Sequence, residues 1–152
     1  MKLVCHSNEL YLSVSNAQSL AGGHYFLSSP PDYKTNGAIH TMSQIIQNVI
    51  EYATEAENAA LYMNERELVA IRNILKTLGH EQQPTMFKSD SAMAEGILNK
   101  KMQPKWTKAM DMRFHWLRKR QQQKHVNIFW KPGILNLGDY HTKHHPASHH
   151  KK

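Results

Sequence analysis

Three carboxylates stand where metal chemistry would need them. Glu57 lies near the start of a helical segment, on its core-facing stripe; Asp90 directly follows a short apolar run; Asp139 lies in the last patterned stretch of the chain. A carboxylate on the core-facing side of a helix is costly unless something pairs with it. Sites in open α/β sheets draw on residues from several elements at the carboxyl ends of strands, so separation along the chain is no obstacle. Hard oxygen donors of this kind suit Mg²⁺, which keeps several waters and accepts substrate phosphates.

A second group of residues is basic. Lys100, Lys101, Lys105 and Lys108 flank Trp106, an arrangement that could grip a nucleic-acid backbone and stack on a base or sugar, or equally a helix start with solvated lysines. Residues 100 to 152 hold 13 lysines and arginines against only Asp111 and Asp139, a balance of +11, whereas residues 1 to 99 stand at −4, with 6 basic residues against 10 acids. Such a block reads either as a contact surface for a polyanion or as a soluble basic surface with a disordered tail. The eleven histidines include His144, His145, His149 and His150. These tail positions lack cysteines or an HExxH spacing, and so speak against a zinc centre. Lys143 and its neighbours remain candidates for phosphate contact.

The elements that must position these groups follow from the apolar spacing. Leu3 to Ser7 and Gly23 to Leu27 read as two strands of a meander. A third candidate begins near Gly37, with a continuation at Ile45 to Tyr52 that suits a strand or a helix. Thr54-Glu55-Ala56-Glu57 has the form of a capping box, with Thr54 as N-cap and Glu57 at N3, and Gly79 is a natural helix stop. Between them Leu61, Asn64, Leu68, Ile71, Leu75 and Leu78 form one face. Thr85 to Ser89 reads as a strand ending at Asp90, Ala92 to Leu98 as a helix, and Pro104 to about Gln123 as a second long helix. Met110, Phe114 and Leu117 lie on one face of that helix, with Arg113, Arg118 and Arg120 available elsewhere. A strand from Val126 to Trp130 and a short helix from Leu135 to Thr142 follow. Phe114, Trp116 and Trp130 are expected in the core. The order predicts a single α/β domain over residues 1–143, a mixed five-stranded sheet flanked by helices, with a basic, His-rich, disordered tail over 144–152. No apolar run approaches the roughly 18 residues of a membrane span and no signal pattern opens the chain. The lone Cys5 fits a reducing compartment. A soluble intracellular protein is the expectation.

Five pieces of the sequence, in order, resemble the ribonuclease H domains of copia-type LTR retrotransposon Pol polyproteins. His6-Ser7-Asn8 with Tyr11-Leu12-Ser13, followed by Ala21-Gly22-Gly23-His24-Tyr25-Phe26, is similar to the family's HSDASYLS and AGGHFF. Thr54 to Glu57 is similar to TEAE, and Ser89-Asp90-Ser91 stands where the family has TDN. The run Lys108 to Arg118 is close to a family helix. Trp130-Lys131-Pro132-Gly133, Asn136-Leu137, Asp139-Tyr140 and Thr142 to Pro146 resemble WRPGxxNLADYxTKHHP. Together they cover most of residues 3 to 150.

The resemblance implies a ribonuclease H-like fold and two-metal hydrolysis of the RNA strand of RNA–DNA hybrids during reverse transcription. Its two ions would be Mg²⁺, with Mn²⁺ as a substitute. The implied partners are hybrid or duplex nucleic acid and a reverse transcriptase domain of the same polyprotein. The implied setting is the cytoplasm, including virus-like particles, or the nucleus, with no membrane. The four metal-holding positions carry over to Asn8, Glu57, Asp90 and Asp139, and the first is an asparagine where the family has aspartate. A neutral amide there lowers the ligand charge from −4 to −3 and is expected to impair turnover. The alternative is a catalytically inactive nucleic-acid-binding module. Glu9 is adjacent, but neighbouring strand residues point to opposite faces, so the expectation is that it does not replace the missing group without a register slip. Glu9-Leu10 and Gly138 also depart from the family pattern, the picture expected of a decaying copy.

Overall fold

The computed structural model describes residues 1–47, 50, 52–90, 108–130, 132–143, 146 and 148. Strands β1 (Lys2–Val14) and β2 (Gln18–Ser28) form an antiparallel hairpin, and β3 (His40–Ile46) adds antiparallel to β2. Helix α1 (Ala53–Thr77) then leads to β4 (Thr85–Ser89), and helix α2 (Lys108–Gln122) leads to β5 (Val126–Trp130). The last two strands run parallel to β1, giving one mixed sheet in the order β3-β2-β1-β4-β5. This is the five-stranded architecture the sequence predicts. The open choice at residues 37 to 52 resolves to a strand from His40 to Ile46, in which Met42 and Ile46 reach the core.

Both helices pack on one face of the sheet. Leu3, Cys5, Tyr25, Phe87, Val126 and Ile128 meet Ala56, Ala59, Ala60, Leu61 and Leu68 of α1 and Phe114 and Leu117 of α2. The expected stripe of α1 holds through Leu61, Asn64 and Leu68, with Ile71 and Leu75 packed against the core. It fails at Leu78, which is 67% exposed, because the chain has already turned away. The turn is a Schellman closure. Gly79 adopts φ +87° and donates to Lys76 O, while His80 N donates to Leu75 O, a left-handed step that glycine makes without steric cost.

Other expectations require correction. Thr54 does not cap α1. Tyr52 is the N-cap residue, without a side-chain bond, and its carbonyl accepts from Glu55 N and Ala56 N. Thr54 and Glu57 therefore lie inside the helix, and Glu55 occupies the first turn, where a carboxylate complements the helix dipole. The expected terminal helix is a pair of 3₁₀ turns, Gly133–Leu135 and Leu137–His141. Trp130 is 45% exposed, not core. Arg113, Arg118 and Arg120 are not simply available to solvent, since their guanidinium groups lie over Tyr62, Phe114 and Trp116 at 5.3, 4.5 and 4.9 Å. The segment 91–107, including the helix expected at Ala92 to Leu98, and most of the tail beyond 143 lie outside the described residues.

One buried amide sets how closely α1 approaches the sheet. Asn64, fully buried, directs Nδ2 toward Ser7 Oγ on β1 and Gly22 O on β2 at 3.1 and 3.0 Å, and its Oδ1 accepts from Tyr25 OH. Gly23 makes room, because a Cβ there would lie 1.8 Å from Asn64 Oδ1. Replacing Asn64 by leucine keeps the volume but removes the side-chain partner of the Gly22 carbonyl and of Ser7 Oγ, and leaves the Tyr25 hydroxyl only its longer bond to the backbone carbonyl of residue 64, 3.3 Å. The expected cost is about 3 kcal/mol, or roughly 6 to 12 °C in thermal midpoint for a domain of this size. A midpoint unchanged within about 2 °C in a thermal melt would show that the amide is not what ties α1 to the sheet.

Candidate metal centre

Parallel pairing of β1 with β4 matches Val4 with Met86, Cys5 with Phe87 and His6 with Lys88. Continued by two residues, the same register brings Asp90, directly after β4, level with Asn8 in the middle of β1. Two supports hold Asp90 there: β4 ends beside β5 with Ser89 opposite Trp130, and Trp130 Nε1 donates to Asp90 O at 2.9 Å. That bond explains why Trp130 sits at the surface.

Asp139 is delivered by the terminal 3₁₀ turn, which lies directly on β1. Asn136 caps the turn by accepting from Gly138 N and donates to Ser7 O at 2.7 Å, while Leu137 N donates to His6 Nδ1. Gly138 is in such close contact that a Cβ would meet His6 O at 2.9 Å and Asn8 N at 3.0 Å. Gly22 yields on the neighbouring strand, where a Cβ would meet Thr142 Cγ2 at 2.6 Å. The departure at Gly138 thus fits a tight seat against β1. Lys88 Nζ, buried, donates to Leu135 O and fastens the segment from the other side.

Asn8 is buried and pairs with this turn. Its Nδ2 donates to Asp139 Oδ1 at 3.0 Å and to Thr142 Oγ1 at 2.7 Å, and Thr142 Oγ1 in turn donates to Asp139 O. The ammonium of Lys143 rests on the same Asp139 Oδ1 at 2.5 Å. One carboxylate oxygen therefore receives both an amide and an ammonium. Lys143, expected at a phosphate, is occupied with an acid of the site, and its pKa is raised first by that hydrogen bond and then by Asp139, Asp90 and Glu9 as charges.

The residue that sequence reasoning set aside is Glu9. No register slip occurs, since Asn8 pairs with Gly22 and Glu9 with Ala21, and the two side chains do lie on opposite faces. Asp139 meets Asn8 on one face of β1, and Glu9 leaves the strand on the other, the face that packs on α1, where Glu57 is half-buried. Burial, then the Glu57 and Asp90 carboxylates, push Glu9 up to about 9 from an ordinary 4.5. Asp90 is also raised, first by burial, with Asp139 contributing against the opposing pull of Lys143. Among the described residues, no group of three or more acidic, histidine or cysteine side chains is placed so that it could hold a metal ion. Of the basic candidates, Lys100, Lys101, Lys105 and Trp106 lie outside the described residues, and Lys108 opens α2 with its side chain outside them.

No protein-family model matches the chain. Over 109 residues, 72% of its length, the chain is 28% identical to the retrovirus-related Pol polyprotein from transposon TNT 1-94 of Nicotiana tabacum, of which the match spans only 8%. Among solved structures, the N-terminal RNase H domain of Rv2228c from Mycobacterium tuberculosis aligns with a TM-score of 0.64 at 16% identity, covering 93% of this chain and 90% of that one. LC11-RNase H1, solved in complex with RNA/DNA hybrid, aligns with a TM-score of 0.64 at 12% identity, covering 91% and 92%. The fold is that of ribonuclease H. By sequence, this ribonuclease H-like domain is a homologue of a retrotransposon Pol polyprotein, as its motifs imply.

In this ribonuclease H-like domain Asn8 acts as a donor clamp on Asp139. Asn8→Asp removes two hydrogen bonds and sets a carboxylate against Asp139, so the metal-free variant should lose about 1–3 kcal/mol of stability. Added Mg²⁺ or Mn²⁺ should return more of the melting temperature to the variant than to the parent chain. A variant that melts at or above the parent in EDTA would contradict the clamp.

Proposed function

We propose that this is the ribonuclease H domain of a retrotransposon Pol polyprotein, acting on the RNA strand of RNA–DNA hybrids with turnover impaired by Asn8. The observation that supports this most is the hydrogen bond joining Asn8 to Asp139, with Asp90 brought level with Asn8 by the parallel pairing of β4 with β1. The hybrid bound by LC11-RNase H1 supports the substrate class. The donor types suit divalent cations, since they are hard oxygens, with the Lys143 and Lys88 ammonium groups as neighbouring positive charges. Glu57, Asp90 and Asp139 would hold Mg²⁺ or Mn²⁺, with Asn8 offering a carbonyl oxygen. Bound there, two such ions would supply an activated water and stabilisation of the leaving oxygen.

The chain's own residues do the rest. β1 and β4 fix the level of the site, Trp130 holds the Asp90 backbone, and Asn136 and Gly138 hold Asp139 against β1. Asn8 weakens the arrangement twice, by lacking a charge and by directing one amide hydrogen at Asp139, with the other on Thr142. A reverse transcriptase domain of the same polyprotein is the natural partner, and an intracellular setting, in the cytoplasm, virus-like particles or nucleus, follows from that role. The double capping of Asp139 by Asn8 and Lys143 favours a second reading, a module that binds hybrids without cutting them.

A hybrid cleavage assay in Mg²⁺ and in Mn²⁺ separates the two. The parent chain should cleave weakly, and Asn8→Asp should raise the rate at least about tenfold, the equivalent of 1.4 kcal/mol in the barrier. Binding of hybrid by both forms with cleavage by neither would leave the second reading standing. Binding should also be salt-sensitive through residues 100 to 124, because lysines displace condensed counterions. Raising salt from roughly 50 to 200 mM should weaken affinity by at least about tenfold, and an affinity that stays flat would mean a merely solvated basic surface.

A further inference from the structure

We infer that the cavity between the carboxyl-terminal ends of α1 and α2 binds a phosphate group, either free in solution or carried by a nucleic-acid backbone. The cavity measures about 240 Å³, and its polar lining includes Arg72, Asn73 and Lys76 of α1, Glu81 of the following turn, Arg120 of α2, and His125. It opens beside Thr85 and Val126, where β4 and β5 begin. Asp90 and Trp130 stand at the other ends of those strands, so the cavity and the Asn8–Asp139 pair are separate places.

Both guanidinium groups are braced before any anion arrives. Arg72 donates through Nη1 to Gln83 O and Thr85 Oγ1 at 2.7 and 2.8 Å, and through Nη2 to Gln82 O at 3.0 Å, which ties the turn after α1 back to the helix. Arg120 lies over the Trp116 ring at 4.9 Å, and its Nη1 donates to His125 Nδ1 at 3.1 Å. A guanidinium presents its N–H donors in a fixed planar fork that matches phosphate oxygens. One already held by stacking and hydrogen bonds loses little freedom on meeting an anion. Lys76, exposed on the rim, adds a mobile ammonium.

Cations at helix carboxyl termini are ordinarily accounted for by the helix dipole and the open carbonyls, but here backbone N–H groups close both ends. Leu78, Gly79 and His80 donate to Ile74 O, Lys76 O and Leu75 O in α1, and Gln123, Lys124 and His125 donate to Lys119 O, Gln121 O and Arg120 O in α2. Each closure passes through a left-handed residue, Gly79 at φ +87° and Lys124 at φ +57°. The carbonyls are thus supplied, and the cationic side chains turn to the cavity. Arg72, Lys76 and Arg120 stand against the single charge of Glu81 there, a surplus of two. Glu65 lies buried on α1 near both arginines. Burial pushes its carboxyl up to about 7 against the pull of Arg120 and Arg72, so at neutral pH it offsets them only in part. His125 is lowered by burial and then by the same two arginines, and it accepts from Arg120 as a neutral ring. A phosphate dianion matches the surplus.

The test is titration of the whole chain with inorganic phosphate at matched ionic strength in chloride, followed by calorimetry and by the His125 ring signals in NMR. The parent chain should bind phosphate, and the His125 pKa should rise as it does, because the anion offsets the two positive charges that hold it down. Arg120→Gln and Lys76→Gln should each weaken binding at least about tenfold, since each removes a charge-assisted contact. Lys76→Gln, at an exposed position, should melt with the parent and so separates loss of the site from loss of the fold. A short RNA–DNA hybrid then identifies the source of the phosphate. A hybrid that moves the His125 titration, and that free phosphate displaces from this site, assigns it to a nucleic-acid backbone; a hybrid that leaves His125 unmoved assigns it to free phosphate. Absence of phosphate binding by the parent would overturn the inference. So would binding that leaves His125 unmoved, or affinity unchanged in a folded Lys76→Gln.

Discussion

The arrangement depends on close approach to β1 from both faces. A helix side chain can reach a strand's polar groups only where the sheet surface is bare, and a loop can lie on a strand's backbone only where both lack side chains. Gly22 and Gly23 are adjacent on β2 and therefore face opposite ways. Gly23 yields to Asn64 of α1, and Gly22 yields to Thr142 and the carbonyl of Gly138. Two consecutive glycines thus set the distance at which the two layers close on Ser7, Asn8 and Glu9. The polar bonds of Asn64 and Asn136 then fix the register of each layer, since neither buried amide has water to fall back on.

That constraint explains which features were legible in the sequence. The period-two and period-3.6 patterns report burial, so β1, β2, α1 and β4 could be read together with their order, and the resemblance assigned Asn8, Glu57, Asp90 and Asp139 to one site. Helix ends were less legible. Thr54 has the side chain of a cap, yet tertiary packing begins α1 two residues earlier, with Tyr52 as the cap residue and no side-chain bond. Trp130 looked like core because an aromatic residue ends an apolar strand, and only the structure shows its indole N–H spent on the Asp90 carbonyl. The terminal segment carries helix-forming residues, but its seat on β1 shortens it to 3₁₀ turns.

Strand alternation set Glu9 apart in the sequence, and the register agrees with it. Asn8 pairs with Gly22 and Glu9 with Ala21 inside β1, so the two side chains leave the strand on opposite faces. Burial and neighbouring acids raise the Glu9 pKa on the α1 face, whereas Asn8 meets Asp139 on the other. What alternation could not tell was which of the two faces the terminal 3₁₀ turn would cover.

Asn8 acts on the terminal turn through charge. An aspartate at position 8 would face the Asp139 carboxylate directly, and like charges held close in a partly buried place raise each other's pKa and cost stability. The amide turns that repulsive contact into a hydrogen bond, Nδ2 donating to Asp139 Oδ1 while the Lys143 ammonium rests on the same oxygen. The seat of the turn on β1, made possible by Gly22 and Gly138, is therefore also held by the neutrality of Asn8.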